Sequence, residues 1–357
     1  MINTEIAIIG GGPAGMCAAL TAAEQGAHIL LMDRESNLGG QLVKQTHRFF
    51  GSEKEHAGTR GIDIASILED AIINHNNIEV KTNTTVLAIY DDGLISIEEK
   101  NKYKKINSKK TIIATGASEK MIAFPNNDLP GVYGAGAVQT LMNQHGVVPG
   151  NKVLMVGAGN IGLIVSYQLV QAGIKVEAII DAAPGVGGYF VHASKIRRMG
   201  VPILTSHTIK EAIGKDFVKG AVICQLDDKW RQIPGTDKEL EVDTICLAVG
   251  LSPLVDLLRH CKCQMKYIPQ FGGYVPIRDE YLETTSPGIY VAGDVSGVEE
   301  ASSAMVEGKI TGLCAAESLG YNQNVKPLKE EFMADLVSLR SGILGTKIRE
   351  GLELLVV

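Results

Sequence analysis

The sequence has few cysteines, and their arrangement excludes whole classes of protein. Six cysteines are scattered along 357 residues, and no two of them form a C-x-x-C pair. This argues against a disulfide framework and against a metal or iron–sulfur site within the chain, so we predict no metal ligands. Only Cys261 and Cys263 lie close together, and we favour two ordinary thiols over a redox pair.

Charge of one sign and long apolar runs are missing as well. The net charge of −6 arises from interspersed acids and bases, so there is no basic stripe and we expect no nucleic-acid partner. No apolar run reaches the roughly 18 residues that span a bilayer. The first residues lack the basic and apolar regions of a secretory signal. We therefore expect no membrane span and a cytoplasmic location, and the length suggests two or three domains.

The first informative pattern is a glycine-rich one near the start of the chain. Gly10, Gly12 and Gly15 form G-x-G-x-x-G directly after an apolar strand predicted for residues 6–9. In such a pattern the first glycine permits a tight turn, the second lets the backbone approach a pyrophosphate, and the third lets a helix pack on the strand. A helix predicted over residues 14–25 would direct its N-terminal amides at the phosphates.

An acidic residue completes this unit. A second predicted strand, residues 28–32, ends in Asp33, whose carboxylate can bind ribose hydroxyls. Glycines alone would also fit a turn in some other α/β protein. Strand, helix, second strand and terminal acid together favour a dinucleotide site.

The same unit occurs a second time. Residues 153–156 form a predicted strand, followed by Gly157, Gly159 and Gly162, a helix to about residue 171, and a strand over 176–180 that ends in Asp181. The last glycine precedes the acid by 18 residues in the first unit and by 19 in the second. An internal repeat of this kind predicts two dinucleotide sites.

The remaining segments carry weaker signals. Helical spacing of apolar residues predicts helices at 61–75, 137–145 and 301–319, a short helical turn at 208–212, and a helix in the tail near 332–339. Predicted strands occupy 78–89, 94–98, 102–105, 111–117, 201–205, 217–226, 241–249 and 288–294, with a hairpin turn at 91–93. The turn-rich stretch 125–136 is a candidate interdomain crossing.

Further short motifs occur in a particular order. These are Gly39-Gly40-Gln41-Leu42 and Ala114-Thr115-Gly116 after the first fingerprint, and Gly293-Asp294 after the second. With both fingerprints in place, residues 4–320 resemble the two-dinucleotide-binding-domain flavoproteins, the class that includes thioredoxin reductase. The resemblance implies an α/β fold of two Rossmann-like, three-layer domains, the second inserted in the first. An FAD-binding domain would comprise 1–117 and 252–357, and an NAD(P)-binding domain 118–251.

The resemblance also implies site residues in each domain. Asp294 would accept a hydrogen bond from the ribityl chain or a bridging water, Val86 would meet the adenine through its backbone, and the helix from Ala301 would point at the flavin N1/O2 edge. The full FAD set is Gly10, Gly12, Pro13, Ala14, Gly15, Asp33, Arg34, Gly40, Gln41, Leu42, Thr46, Val86, Ala114, Thr115, Gly116, Gly293, Asp294, Ala301 and Ser302. The nicotinamide-dinucleotide set is Gly157, Gly159, Asn160, Ile161, Gly162, Asp181 and Gly250.

The preferred nicotinamide cofactor follows from the second acid. Asp181 would hydrogen-bond ribose hydroxyls and repel a 2′-phosphate, so NAD(H) is expected over NADP(H). Arg197 and Arg198 weaken that expectation, although a solvated helix face explains them equally well.

Two departures from the resembled class limit the chemistry. Residues 133–143 lack the C-x-x-C of thioredoxin reductases, and residues 38–52 lack the C-x-x-x-x-C of glutathione-reductase-like enzymes. We therefore do not expect thiol–disulfide chemistry on an internal dithiol. Many relatives also carry an acid where this chain has Ile164, so their hydride-transfer geometry does not transfer directly.

Within the class, three segments are similar to one subgroup. Residues 39–42, 128–136 and 299–308 resemble the FAD/NAD α subunits of proline dehydrogenase, heterotetrameric sarcosine oxidase and hydrogen cyanide synthase. That resemblance implies a partner polypeptide, an oligomeric assembly, and a substrate-oxidising site or iron–sulfur clusters on another chain.

Three functional hypotheses remain open at this point. The chain is an FAD-dependent NAD(P)H oxidoreductase that passes electrons to an acceptor, or the FAD subunit of an amine or imino-acid dehydrogenase of proline, sarcosine or opine type, or a non-catalytic nucleotide-binding subunit. Intact Gly293-Asp294 and both acids argue against the third. His47 is the candidate catalytic residue because it lies near the predicted flavin-lining loop, but pocket lining or a surface position fits it as well.

Overall fold

The chain folds into two compact units. The structure is a computed structural model that describes residues 1–90, 92–342 and 345–355. Unit 1 comprises Met1–Ser118 and Leu251–Val357, and unit 2 comprises Glu119–Gly250, which lies between the two parts of unit 1 along the chain. No helix in the described ranges is long and apolar enough to cross a membrane.

The helices, in chain order, differ widely in length. They are α1 Pro13–Glu24, α2 Gly61–Ile73, α3 Ala135–His145, α4 Asn160–Gln171, α5 Phe190–Arg198, α6 Asp256–His260, α7 Ala301–Glu317, α8 Val325–Leu339 and α9 Thr346–Leu355. Short 3-10 turns lie at Gly40–Lys44, Glu53–Glu55, Pro269–Phe271 and Gly293–Val295.

The strands are numbered in the same order. They are β1 Ile2–Ile9, β2 Ile29–Met32, β3 Ile78–Lys81, β4 Thr84–Ile89, β5 Leu94–Glu99, β6 Lys102–Ile113, β7 Ala117–Glu119, β8 Val132–Gly134, β9 Lys152–Val156, β10 Lys175–Asp181, β11 Ile203–Thr205, β12 His207–Gly214, β13 Val218–Gln225, β14 Lys238–Leu240, β15 Thr244–Leu247, β16 Leu251–Pro253, β17 Met265–Ile268, β18 Gly273–Pro276 and β19 Ile289–Val291.

Unit 1 is built on one large sheet with the strand order β3-β2-β1-β6-β5-β4, in which β19 also pairs with β6. Strands β1, β2, β3, β6 and β19 run parallel, whereas β4 and β5 pair antiparallel. Ile6 and Ile8 of β1 face one apolar core with α1 and α7, and Ala7 and Ile9 face another on the opposite side. Because a parallel strand is covered on both faces, every one of these four residues is apolar.

Helices α1 and α7 approach each other closely enough that two positions admit only glycine. A Cβ atom on Gly308 would lie 2.1 Å from the carbonyl oxygen of Ala14, and one on Gly312 would lie 2.3 Å from that of Ala18. Glycines four residues apart share one helix face, so the two backbones meet along a continuous line of contact. This contact brings the start of α7 beside the start of α1.

Unit 2 carries a parallel sheet with the order β11-β10-β9-β15-β8. Helices α3, α4 and α5 contribute to the apolar core on one face, and the antiparallel sheet β12-β13-β14 contributes to the core on the other. The predicted α/β class with parallel, helix-covered sheets is confirmed.

One element of unit 2 contradicts the sequence prediction. Residues 208–212 form part of strand β12, paired with β13, and not a helical turn. A bulge between Ile209 and Glu211 shifts the register, so Ile209 and Ala212 both face the core. That shift produces a spacing of three residues between buried side chains, which mimics the helical pattern.

Two strand boundaries in unit 1 also differ. The predicted strand 78–89 is interrupted at Asn83, whose φ of 49° is left-handed, so β3 pairs with the parallel part of the sheet and β4 with the antiparallel part. The separate strands expected at 102–105 and 111–117 are joined in the single strand β6. Of the predicted hairpin turn, position 91 lies outside the described residues, and Gly93 adopts a left-handed φ of 81°.

Candidate functional site

The first glycine loop is too tight for side chains at two of the three glycines of its G-x-G-x-x-G pattern. A Cβ on Gly10 would lie 2.3 Å from the carbonyl oxygen of Ala114, and one on Gly15 would lie 1.8 Å from that of Gly10. Gly12 differs, because a Cβ there would have only the Cα of Gly40 within 4 Å, at 3.9 Å. The loop therefore presents bare backbone and open space at Gly12, as a pyrophosphate requires.

Helix α1 starts directly behind this loop. Pro13 occupies its first turn, and the N-cap residue Gly12 offers no side-chain acceptor to the helix. The first turn continues through Ala14 and Gly15, both buried. The free N–H groups and the positive end of the helix dipole together form an anion site, so this cradle fits the pyrophosphate of FAD.

Asp33 stands at the end of β2 and holds the loop. Its Oδ2 accepts a hydrogen bond from the Gly11 backbone N at 2.6 Å, and its Oδ1 accepts one from the Glu35 backbone N at 2.8 Å. Arg34 points into solvent and pairs with Glu35 at 3.3 Å. The carboxylate is thus fixed beside the glycine loop and keeps further lone pairs for ribose hydroxyls.

The segment with paired glycines approaches the same loop from another side. Gly39 and Gly40 have left-handed φ values of 113° and 52°, and a Cβ on Gly40 would lie 2.8 Å from the Cα of Gly12. Leu42 is fully buried in the core of unit 1, so its side chain serves packing. Gln41 is exposed.

The two remaining residues predicted after this segment lie farther along the same loop. Thr46 and His47 are half-buried, and the His47 ring stacks on Phe49 with 5.5 Å between centroids.

Strand β6 ends beside β1, so the residues that follow it lie next to the first glycine loop. The Ala114 backbone N donates to the Ile9 carbonyl at 2.8 Å, and Thr115 Oγ1 donates to the Leu254 carbonyl at 2.9 Å. Gly116 has a left-handed φ of 73° and open space where a Cβ would stand. Val86 lies half-buried on β4, and the first residue of that strand, Thr84, donates its backbone N–H to the Asp33 carbonyl at 2.9 Å.

The Gly293–Asp294 turn follows β19, which lies next to β6. A Cβ on Gly293 would lie 2.9 Å from the Cβ of Ala14, so this turn sits against the first turn of α1. The pKa of Asp294 is raised to about 7, chiefly by burial and also by the nearby carboxylates of Glu307 and Glu299, while a backbone hydrogen bond from Glu299 acts to lower it. The raised pKa indicates that the surroundings of this half-buried carboxyl stabilise its charged form poorly.

Helix α7 begins at Ala301, shortly after this turn. Ser302 is buried, and its Oγ donates to the Phe50 carbonyl at 3.3 Å. Many of the predicted FAD residues thus follow the carboxyl ends of β1, β2, β6 and β19, which meet at one edge of the sheet, whereas Val86 lies within β4 and Ser302 in α7. Ligands of open α/β sheets bind in the crevice at that edge.

A group of buried charges beside the turn was not predicted. Glu307 of α7 accepts hydrogen bonds from the Gly293 backbone N at 2.8 Å, from Ser296 Oγ at 2.7 Å and from Arg340 Nη2 at 2.6 Å. Glu299 and Arg278 complete the group. The sequence shows Glu299 and Glu307 within one motif, but nothing in it pairs them with an arginine more than 30 residues away.

The second glycine loop repeats the first within unit 2. A Cβ on Gly157 would lie 2.2 Å from the carbonyl oxygen of Ala248, and one on Gly162 would lie 2.0 Å from that of Gly157. A Cβ on Gly159 would meet nothing within 4 Å among the described residues. A side chain is thus excluded at the first and third glycines and admitted at the second, as at Gly10, Gly15 and Gly12 of unit 1.

The second acid also repeats the first. Asp181 Oδ2 accepts from the Ala158 backbone N at 2.7 Å, and its Oδ1 accepts from the Ala183 backbone N at 2.8 Å. The corresponding donors in unit 1 are the residue after the first glycine and the residue two positions after the acid. The cradle therefore fits the pyrophosphate and ribose of a nicotinamide dinucleotide as the first fits FAD.

The other predicted residues of unit 2 differ in their contacts and in their exposure. Asn160 Oδ1 accepts from the Tyr189 backbone N at 2.8 Å and so fixes the segment after β10. Ile161 is 40% exposed, and the Gly250 carbonyl accepts from the Lys120 backbone N at 2.9 Å. Arg197 and Arg198 are exposed at the end of α5.

Glu119 is a polar residue of unit 2 that sequence reasoning missed. Its carboxylate accepts from the Gly136 N at 2.5 Å and from the Ala137 N at 3.1 Å. It therefore caps the N-terminus of α3.

The cysteines are free thiols. Cys263 follows α6 in a Schellman motif, in which its N–H reaches the Leu258 carbonyl and Lys262 adopts a left-handed φ of 56°. A hydrogen bond from the Cys261 side chain lowers the pKa of Cys263 to about 6, against the effect of burial. Across residues 1–90, 92–342 and 345–355, no group of three or more His, Cys, Asp or Glu side chains could hold a metal ion.

The repeated cradles lie within a region that is similar to known proteins. The family model for pyridine nucleotide-disulphide oxidoreductases matches residues 4–308. The chain belongs to this family. The predicted assignment to this class of flavoprotein oxidoreductases is confirmed.

Individual relatives are similar over much of the chain. The A subunit of opine oxidase from Agrobacterium tumefaciens (strain Ach5) is 25% identical, and the match covers 88% of this chain and 66% of that relative. The alpha subunit of sarcosine oxidase from Rhizobium meliloti (strain 1021) is 27% identical over 72% of this chain and 25% of that relative. This family member thus spans about two thirds of the first of these relatives and a quarter of the second.

A solved structure matches the fold. The crystal structure of T. acidophilum thioredoxin reductase superposes with a TM-score of 0.73 at 21% sequence identity, covering 89% of this chain and 99% of that one. The likeness supports the two-unit Rossmann-type architecture and carries nothing about substrate.

Proposed function

We propose that this family member binds FAD in unit 1 and NAD(H) in unit 2. The bounds of these units differ by one residue at each boundary from the predicted FAD-binding domain, 1–117 and 252–357, and the predicted NAD(P)-binding domain, 118–251. When both cofactors are bound, a hydride would be exchanged between them. The observation that carries this proposal is the duplicated geometry of the two cradles: the Asp33–Gly11 hydrogen bond at 2.6 Å and the Asp181–Ala158 hydrogen bond at 2.7 Å. Bound FAD would supply two-electron chemistry toward the nicotinamide and one- or two-electron chemistry toward an acceptor.

The residues of the chain would bind and orient these groups. The uncapped first turns of α1 and α4 would donate backbone N–H groups to the pyrophosphates. Asp33 and Asp181 would accept from ribose hydroxyls, and Asp294 would accept from the ribityl chain. Of the other predicted contacts, Thr46 and Ser302 would lie near the flavin, and Gly116 would flank the pyrophosphate.

NAD(H) is proposed over NADP(H) because of Asp181. A carboxylate already fixed by two backbone N–H groups cannot swing aside, so it would repel the 2′-phosphate of NADP(H). Arg197 and Arg198 are exposed, and no ion pair joins them to Asp181 among the described residues.

The destination of the electrons is proposed to be a partner polypeptide. The opine oxidase and sarcosine oxidase relatives are both named as subunits. The sequence contains no C-x-x-C, so we propose no electron path through an internal dithiol. We therefore propose a partner that takes electrons from the reduced flavin. In the amine-dehydrogenase alternative, the partner instead oxidises an amine or imino acid and supplies electrons to the flavin.

An anaerobic titration of the purified chain tests this function. Reduction of bound FAD by NADH, with much weaker reduction by NADPH, is the expected result and is read from bleaching of the visible flavin band. A yellow protein that neither nucleotide reduces would favour the partner-fed subunit, in which case stoichiometric co-purification with a second polypeptide is expected. A colourless protein that cannot be reconstituted with FAD would overturn both.

A further inference from the structure

The last helices of unit 1 are joined to the Asp294 turn through buried charges. Arg340 follows α8, and only 9% of its side chain is exposed. Its Nε and Nη2 donate to the two carboxylate oxygens of Glu299 at 3.0 and 2.6 Å, and Nη2 also donates to Glu307 Oε1 at 2.6 Å. A guanidinium held by two carboxylates in this way is strongly oriented.

Glu307 connects Arg340 to the backbone of the Gly293–Asp294 turn. Its second oxygen, Oε2, accepts from the Gly293 N at 2.8 Å and from Ser296 Oγ at 2.7 Å. The Glu307 carboxylate therefore bridges the Arg340 guanidinium and the backbone N–H of Gly293. Glu299 reaches the same residue from the other side, because its backbone N donates to Asp294 Oδ1 at 3.3 Å.

The charges of this group are unevenly balanced. Three carboxyl groups, those of Asp294, Glu299 and Glu307, face two guanidinium groups, those of Arg340 and Arg278. Arg278 is the weaker partner, since its Nη2 stands 3.7 Å from Glu307 Oε1 and its buried Nε has no hydrogen-bond partner within the described part of the chain. Arg340 is thus the main compensating charge for the acids beside the turn.

We propose that Arg340 is a positioning residue for the flavin site: through Glu307 it fixes the Gly293–Asp294 turn and supplies positive potential at the start of α7. This inference rests on the proposed binding of FAD in unit 1. Loss of the guanidinium would release the turn and leave the more distant Arg278 to compensate the buried carboxylates of Glu299 and Glu307. The negative potential would then disfavour negative charge on a reduced flavin more than it disfavours the oxidised form.

A purely structural tether is the competing explanation, and α8 offers a matched control for it. Lys54 Nζ pairs with Glu331 at 2.8 Å and with Asp335 at 2.9 Å, both on α8 and partly exposed. Lys54→Met would therefore loosen the docking of α8 without touching the buried group. Arg340→Met and Arg340→Lys remove the guanidinium, and Glu299→Gln removes one of the carboxylates that it compensates.

The experiment compares these variants as FAD-loaded protein. FAD dissociation constants are measured from the fluorescence of released flavin, and midpoint potentials by equilibration with a reference dye. For Arg340→Met we expect oxidised FAD to bind at least about tenfold more weakly than in the wild type. We expect the affinity for reduced flavin to fall by about a further tenfold, which lowers the midpoint potential by ~30 mV for a two-electron couple. The double variant with Glu299→Gln is expected to recover part of the potential, and Lys54→Met to change neither quantity.

The outcomes separate the two proposals. Arg340→Lys serves if Arg340→Met does not fold, and it is expected to weaken FAD binding severalfold because an ammonium cannot bridge both carboxylates. Unchanged affinity and potential in a folded Arg340 variant, or equal changes in Lys54→Met, would overturn the positioning role while leaving FAD binding intact. Failure of the wild-type chain to bind FAD would overturn the proposed function itself and this inference with it.

Discussion

Asp181 accepts a hydrogen bond from the backbone N–H of Ala158 at 2.7 Å, which ties the end of β10 to the glycine loop that follows β9. The acid is therefore part of the loop's architecture as well as a candidate ligand of the ribose. A substitution at this position changes both roles unless the backbone hydrogen bonds are kept.

Asp181→Asn should separate the charge from the hydrogen bond to the glycine loop. Asparagine has one acceptor oxygen, which can keep the bond from the Ala158 N–H, whereas its amide nitrogen cannot accept from the Ala183 N–H. The glycine loop should therefore stay folded while the repulsion of a 2′-phosphate is lost. We expect the preference for NADH over NADPH to fall by about tenfold or more, since one charge contact is worth roughly 1–3 kcal/mol. Dissociation constants from anaerobic titration with each nucleotide measure it. An unchanged preference would assign selectivity to other residues, with Arg197 and Arg198 the next to test.

Glycines of the second loop should divide into ligand-facing and structural positions. Gly159→Ala has open space and an ordinary φ of −74°, so stability should change by less than about 1 kcal/mol while NADH binding weakens. Gly162→Ala places a Cβ 2.0 Å from the Gly157 carbonyl oxygen and should cost about 1–3 kcal/mol of stability or more. Urea unfolding and NADH titration of both variants distinguish the two effects. Equal loss of stability in both would contradict the division.

Gly12→Ala is the same test for the first loop. A Cβ there would approach only Gly40 among the described residues, at 3.9 Å, so the apoprotein should fold normally and retain less FAD after purification. The flavin-to-protein absorbance ratio measures the loss. Normal flavin content would mean that no ligand atom approaches this backbone closely.

Asp294 should make the stability of the apoprotein depend on pH. Its pKa in the folded chain is about 7, above the ordinary value of 3.8, so the folded state binds the proton more tightly than the unfolded state. Stability should therefore be greatest below about pH 4 with respect to this group and fall as the pH rises toward 7, by up to about 1.4 kcal/mol per pH unit. Urea unfolding of apoprotein at pH 5 and pH 7.5 measures the change. Asp294→Asn should flatten the dependence, and an equal slope in that variant would assign it elsewhere.

The Cys261–Cys263 pair should be the reactive thiol site of this chain. The pKa of Cys263 is lowered to about 6, whereas burial raises the pKa values of Cys17 to about 12 and of Cys314 to about 11. Alkylation by a small reagent, followed by peptide mass spectrometry, should modify Cys263 with a midpoint near pH 6 and leave Cys17 and Cys314 intact. All three thiols are buried, so the difference in pKa separates them. In Cys263→Ser the modification with a midpoint near pH 6 should disappear. A wild-type midpoint near the value of an ordinary cysteine thiol, about 8.5, would contradict the prediction.

Much of the parallel framework could be predicted because its signals are local. The tight turns at Gly10 and Gly157, the helices behind them and the acids at the ends of β2 and β10 are specified by spacing within about 30 residues each. Their repetition along the chain also predicted two similar cradles. What these cradles bind stays a prediction until the titrations are done.

Other features depended on partners that spacing cannot indicate. The sequence pattern predicts a helical turn at 208–212, but these residues belong to a strand, because a bulge that arises from pairing with β13 changes which side chains are buried. The close packing of Gly308 on Ala14 exists only once α1 and α7 lie side by side, although they are nearly 300 residues apart in sequence. Propensity and periodicity do not report such contacts.

The sequence by itself determined the repeated strand–glycine–helix–acid units, because a tight turn, an uncapped helix and a carboxylate at a fixed offset are properties of short segments. Only the tertiary structure decided that Arg340 would stand behind Glu307 and Gly293. Burial of that arginine depends on where α8 docks, and its charge is tolerated there only because two distant carboxylates converge on it.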